Sequence, residues 1–153
     1  MKISQILSPE STFCSLKLSS KKKVLEKVSE VMAEFIDCPS QDIFNSLFAR
    51  ERLGTTALGH GIAIPHGRVE ACTEATAVFI LLDEAVDYDA PDGQPVDIIF
   101  AIMVPEKADS EQLKYLAEIA QVLSKPTLVS QIRHAHCGDA LFEIIEKATE
   151  KLQ

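Results

Sequence analysis

The sequence predicts an α/β or α+β sandwich, in which helices cover a small, strongly apolar sheet. Two stretches carry that expectation. Ala75 to Leu82 (ATAVFILL) and Val96 to Val104 (VDIIFAIMV) are near-continuously apolar, as strands are when helices cover both faces of their sheet. The third observation is order: segments with helical periodicity come first, then the strands, then more helical segments. No internal repeat, low-complexity tract or linker interrupts the 153 residues, so residues 1–153 are expected to form a single domain.

The first helix is expected from Ser20 onward. Val24, Leu25, Val28, Val31, Met32, Phe35 and Ile36 recur at helical spacing. Ser20 suits the N-cap, and Pro39 ends the run. Ser40 then reads as the cap of a second helix, with Ile43, Phe44, Leu47 and Phe48 as its buried stripe. Arg50 and Arg52 fall in its last turn, where positive charge complements the helix dipole, and Gly54 is a natural stop. Thr55 to Gly67 (TTALGHGIAIPHG) holds three glycines and a proline, too many for a helix. Within it, Ile62-Ala63-Ile64 fits a short strand. Between the two long strands, Ala90-Pro-Asp-Gly93 and Gln94-Pro95 signal turns, and Val86 to Tyr88 suits a short edge strand.

After the second long strand, Asp109 and Gln112 have capping-box spacing at the start of a third helix. Its apolar face is Leu113, Leu116, Ala117, Ile119, Ala120 and Leu123. Pro126 suits the first position of a short helix with Leu128, Val129 and Ile132 inward. Asp139 suits the cap of a last helix with Leu141, Phe142, Ile144, Ile145 and Ala148 on its buried side.

Composition narrows the function. Hydrophobic residues make up 46% and charged residues 25%, ordinary globular values that exclude global disorder. A net charge of -8 and a pI near 5.0 repel a phosphate backbone, which argues against nucleic-acid partners. The Lys21-Lys22-Lys23 run reads as a solvated helix face. No apolar run near Met1 resembles a signal peptide, and none approaches the ~18 residues of a membrane span. Cys14, Cys38, Cys72 and Cys137 show no C-x-x-C spacing. Free thiols in a reducing cytoplasm are expected.

Of His60, His66, His134 and His136, His66 has the unusual setting. It follows an apolar triplet and Pro65 and precedes Gly67. Proline fixes the approach of the chain and glycine leaves room beside the ring, which suits an imidazole held at a sheet edge. A neutral imidazole is nucleophilic near pH 7. Attack on a phosphoryl group then needs positioning and positive charge around the oxygens. Arg50 and Arg68 are candidates for that charge, with backbone N–H groups of the glycine-rich approach beside them. Spacing alone fits a structural turn histidine equally well. His60 reads as a loop residue. His134, His136 and Cys137 offer three ligands that zinc accepts, but they fall between two short helices where a polar connection is expected. A G-x-S-x-G elbow is absent from the chain.

Glu51 to Gly67 (ERLGTTALGHGIAIPHG) resembles the active-histidine signature of the fructose- and mannitol-type enzyme IIA domains of the phosphoenolpyruvate-dependent phosphotransferase system. Its fixed positions are Glu51, Leu58-Gly59 and Ile62-Ala63-Ile64-Pro65-His66-Gly67. Asp89 to Pro105 and the helix after it are also similar to the family. The ISQILSPE opening and the GHGIAIPHGR core look most like the nitrogen-regulatory branch, whose members usually stand without a fused transport domain. The resemblance implies a mixed sheet sandwiched by helices. It also implies phosphorylation of His66 by a histidine-phosphocarrier protein, with Arg50 supporting the phosphate and regulatory proteins as downstream partners. The family's second histidine corresponds to Gln112 here, a departure from the pattern. No cofactor, resident metal, nucleic acid or membrane insertion is expected. Two other readings are a sugar-specific IIA component that passes phosphate to a IIB domain, and a metal-binding module built on His134, His136 and Cys137.

Overall fold

A computed structural model describes residues 2–151. Six strands form one mixed sheet: β1 (Thr12–Leu16), β2 (Ala57–Gly59), β3 (Ile62–Ala63), β4 (His66–Val69), β5 (Thr76–Val86) and β6 (Val96–Pro105). Their order is β1-β5-β6-β3-β2, and β4 also lies beside β6, further along the same edge as β3. β5 and β6 pair antiparallel, as do β2 and β3; β1 runs parallel to β5, and β3 and β4 parallel to β6. Five helices surround it: α1 (Lys21–Met32), α2 (Ser40–Arg52), α3 (Ser110–Leu123), α4 (Pro126–Arg133) and α5 (Gly138–Glu150).

Strand alternation divides the core in two. Phe79, Leu81, Ile98, Phe100 and Ile102 face α3, α4 and α5. Val78, Ile80, Leu82, Ile99, Ala101 and Met103 face α1 and α2. Each face therefore needs its own apolar set, and two sets interleaved at period two give the continuous apolar runs of β5 and β6. Burying each large side chain removes about 1.5–3 kcal/mol worth of apolar surface from water.

Several local expectations are corrected. Ser20 does cap α1, accepting from the Lys23 N–H at 3.1 Å. The helix nevertheless ends at Met32; turns follow, and Phe35 points outward while Ile36 stays buried. Pro39 is the N-cap of α2, and Ser40 is its first residue. Only Ile43 and Leu47 of the expected α2 stripe are buried; Phe48 is 42% exposed and stacks on Phe44. The proposed edge strand at Val86 to Tyr88 does not exist. β5 instead runs on to Val86 through a register shift, and Tyr88 is buried beyond its end. α5 is capped by Cys137, whose sulfur accepts from the Ala140 N–H, and not by Asp139. Strands β1, β2 and β4 carry too little apolar alternation to be seen in sequence.

The lysine run is also not uniformly solvated. Lys21 is half-buried: its ammonium lies 3.1 Å from Glu51 Oε1 and 4.6 Å from the centre of the Tyr88 ring. Glu51 is buried and accepts from the N–H and the hydroxyl of Thr56. One carboxylate thus ties the start of α1 and the end of α2 to the chain entering β2. Burial, with Glu51 alongside, pushes the Tyr88 phenol well above its usual range.

Candidate functional site

His66 opens β4, and the backbone leading into it is tied to its neighbours. The Ile64 N–H donates to Thr56 O at 3.1 Å, and the Pro65 carbonyl accepts from the Ile102 N–H at 2.9 Å. This leaves the Ile64 carbonyl free to turn toward the ring, where it lies 2.8 Å from His66 Nδ1. A carbonyl can only accept, so Nδ1 carries the proton and Nε2 is the bare nitrogen. The imidazole is half-buried. Burial lowers its pKa; the Arg50 and Arg68 charges lower it further, against the opposing pull of the Ile64 bond and Glu51. The neutral, nucleophilic form is therefore the one present near pH 7.

Gly67 has a different task from the one expected of it. Its missing side chain makes room for α2, not for the ring: a Cβ there would fall on Ser46 Oγ and lie 3.2 Å from the Ser46 backbone carbon. The Ser46 hydroxyl accepts from the Arg68 N–H at 2.9 Å and donates to the Arg68 carbonyl at 2.8 Å. These contacts pin β4 to α2 at the edge of the sheet. At this edge α2 from one layer packs on β4, and α3 from the other contacts the neighbouring β6.

The result is a depression of about 430 Å³ lined by His66, Arg50, Arg68, Ser46 and an apolar rim. Arg50 sits in the last turn of α2 and donates from Nη1 to the Gly54 carbonyl at 2.8 Å, which holds the guanidinium while its other donors remain. Arg68 lies two residues along β4 from His66 and so points to the same face. The rim is Ala49, Leu53, Val104, Leu113 and Leu116. Leu113 and Leu116, expected on the apolar face of α3, line this rim, and Leu53, which carries no helical periodicity, joins them. Leu53 is 86% exposed, and an isolated leucine just past a helix end is the one signal that marked it.

Gln112 is not among the residues lining this depression. Asp109 does accept from the Gln112 N–H at 3.0 Å, but the reciprocal bond of a capping box is not made. The Gln112 side chain reaches across instead, and its Oε1 accepts from the Ala75 N–H at 3.1 Å. That bond joins the start of α3 to the approach to β5.

The other histidines stand apart. His60 occupies the β2–β3 turn in a left-handed conformation, φ 58°. Its N–H donates to Asp92 at 2.9 Å, and its carbonyl accepts from Arg133 at 2.8 Å. The same Arg133 grips both oxygens of Asp97. His134 Nδ1 donates to Ser130 O at 2.7 Å, and Cys137 caps α5. Among the described residues, no three His, Cys, Asp or Glu side chains converge to hold a metal ion. No described helix is long and apolar enough to cross a membrane.

A mixed sheet clad on both faces, with a proline-histidine-glycine edge strand presenting one imidazole between two arginines, defines an enzyme IIA-type protein. Residues 5–148 match the family described as phosphoenolpyruvate-dependent sugar phosphotransferase system, EIIA 2, and the chain belongs to that family. Within the family it falls with the nitrogen-regulatory proteins. The nitrogen regulatory protein of Pseudomonas aeruginosa is 40% identical over 146 residues, 95% of each chain. The crystal structure of nitrogen regulatory protein IIA-Ntr from Neisseria meningitidis superposes with a TM-score of 0.89 at 35% identity, covering 96% of this chain and 98% of that one. Mannitol IIA from Escherichia coli shares the fold, with a TM-score of 0.75 at 21% identity over 91% of this chain and 98% of the other.

Proposed function

We propose that His66 Nε2 accepts a phosphoryl group from a histidine-phosphocarrier protein, and that cytoplasmic regulatory partners in nitrogen or general metabolism respond to its phosphorylation state. The observation that carries this reading is the pairing of a bare Nε2 with a proton fixed on Nδ1 by the Ile64 carbonyl. As the donor's P–N bond breaks, the Nε2–P bond forms in line. The positive charge that develops on the ring is shared with the Nδ1–H···O=C bond. Arg50 and Arg68 stand where the three phosphoryl oxygens collect charge. The apolar rim, headed by Leu53 and Leu113, is suited to receive a donor's surface and to exclude water from the phosphoramidate. Phosphorylation then places roughly two negative charges inside an apolar ring, which changes what can dock there.

The test is incubation with phosphoenolpyruvate and the two upstream proteins, followed by peptide mapping of acid-labile phosphate. Label is expected on His66 alone, and a folded His66→Ala variant should take up none; equal labelling of that variant would overturn the proposal. Adding a sugar-type IIB domain as acceptor separates the regulatory reading from a sugar-specific one, since only the latter requires onward transfer.

A further inference from the structure

The four cysteines take no part in this chemistry, yet the Cys14 thiol rests against the backbone of Cys137. Cys14 lies on β1, the sheet edge opposite β4. Cys137 caps α5, 123 residues along the chain. The Cys14 thiol donates to the Cys137 carbonyl at 3.2 Å, and the Cys137 sulfur accepts from the Ala140 N–H at 3.4 Å. Two unusual backbone features bring them together. A bulge shifts the β1 register between Phe13 and Leu16, with Ser15 in a left-handed conformation at φ 58°. Phe13 and Leu16 on either side pack toward α1 and α2, whereas Cys14 packs toward α5. On the facing element, Gly138 lets the first turn of α5 press onto β1: a Cβ there would come within 2.5 Å of the Thr12 carbonyl.

We infer that Cys137 and Cys14 form an oxidisable dithiol that closes to a disulfide between α5 and β1. Cys137 is the exposed member and meets the oxidant first; Cys14, half-buried beneath it, resolves. With hydrogen peroxide as oxidant, the Cys137 thiolate attacks one peroxide oxygen. The O–O bond breaks, water leaves, and a sulfenic acid remains. The Cys14 sulfur then attacks the Cys137 sulfur, the S–O bond breaks, and a second water carries off the oxygen. Two thiols lose two electrons and two protons, and one peroxide becomes two waters. Cys72 is ill placed for such chemistry, since it is buried and its thiol donates to the Glu74 carbonyl at 3.0 Å. The bond would tie the last helix to the far edge of the sheet and leave the His66 depression untouched. It would also close a loop over most of the chain, the case in which a cross-link most restricts the unfolded state.

The experiment is titration of the reduced, full-length chain with hydrogen peroxide, read by intact mass and by peptide mapping without reductant. One disulfide joining Cys14 to Cys137 is expected. It should migrate faster on a non-reducing gel, raise the thermal midpoint by several degrees and reverse with dithiothreitol. In a Cys14→Ser variant, Cys137 should instead proceed to sulfinic acid or to intermolecular dimers. Over-oxidation of Cys137 in the unaltered chain with Cys14 still free would overturn the inference. A Cys38–Cys72 bond formed in its place, or the absence of any intramolecular disulfide, would do the same.

Discussion

At the scale of single residues, the site depends on which groups hold His66 and which surround it. Arg50 is held by the Gly54 carbonyl, so its guanidinium is positioned before any phosphoryl group arrives. Arg50→Ala should slow phosphoryl uptake about 10-fold or more. Arg50→Lys should recover only part of the rate, because an ammonium cannot hold Gly54 and also fork onto two oxygens. Rapid-quench transfer rates check both. The pH dependence follows from the same neighbours. Burial and the two arginines lower the His66 pKa below its ordinary value, so the reactive neutral ring persists below about pH 6.5. The acid-side decline in uptake should therefore be centred at lower pH than that of an unburied imidazole. Arg50→Ala and Arg68→Ala each remove a lowering charge, so each should move the decline to higher pH, as followed by NMR titration of the ring. The stability linkage has a definite sign. The unfolded ring binds a proton at a higher pH than the folded one, so this contribution is present above the unfolded pKa and is lost as pH falls through the folded one.

At the scale of elements, the site is a junction, and its parts do not share one job. Helix α2 contributes Arg50 and clamps β4 through Ser46, while α3 contributes the leucines of the rim. Gln112 belongs to the anchoring of α3: its bond to the Ala75 N–H joins the helix start to the approach to β5. Gln112→Ala should therefore cost about 1 kcal/mol in denaturant unfolding and leave the transfer rate within a few-fold of the parent. Loss of transfer in a variant that remains folded would make Gln112 a group of the reaction itself. The helices were legible because periodicity, Ser20, Asp109 and Pro126 mark them locally. Strands β1, β2 and β4 were not, because they are short, bulged or glycine-bearing and are held by partners distant in sequence. The cap of α5 was misread because a cysteine sulfur took the role that Asp139 is chemically better suited to fill.

At the scale of the whole molecule, the buried Glu51 links layers that are otherwise separate. It pairs with Lys21 of α1 and accepts from Thr56 ahead of β2, and it directly follows Arg50 in the chain. Glu51→Ala leaves the half-buried Lys21 ammonium with only the exposed Asp89 carboxylate at 4.0 Å and the Thr56 N–H without its acceptor, and should cost about 2–4 kcal/mol. Glu51→Gln, which still accepts from Thr56, should cost less; urea unfolding curves of the two variants test the order. The sequence by itself determined the two central strands and the helices that cover them, and it singled out His66 as the histidine with an unusual setting. Those properties follow from local periodicity and from a contiguous Pro65-His66-Gly67 motif. Only the tertiary structure decided which nitrogen of His66 is free, that Leu53, Leu113 and Leu116 surround it, and that Gln112 turns to Ala75. These outcomes depend on where elements far apart in the chain come to rest. A carbonyl two residues away can be counted in a sequence, but its direction is set by the sheet that claims its neighbours.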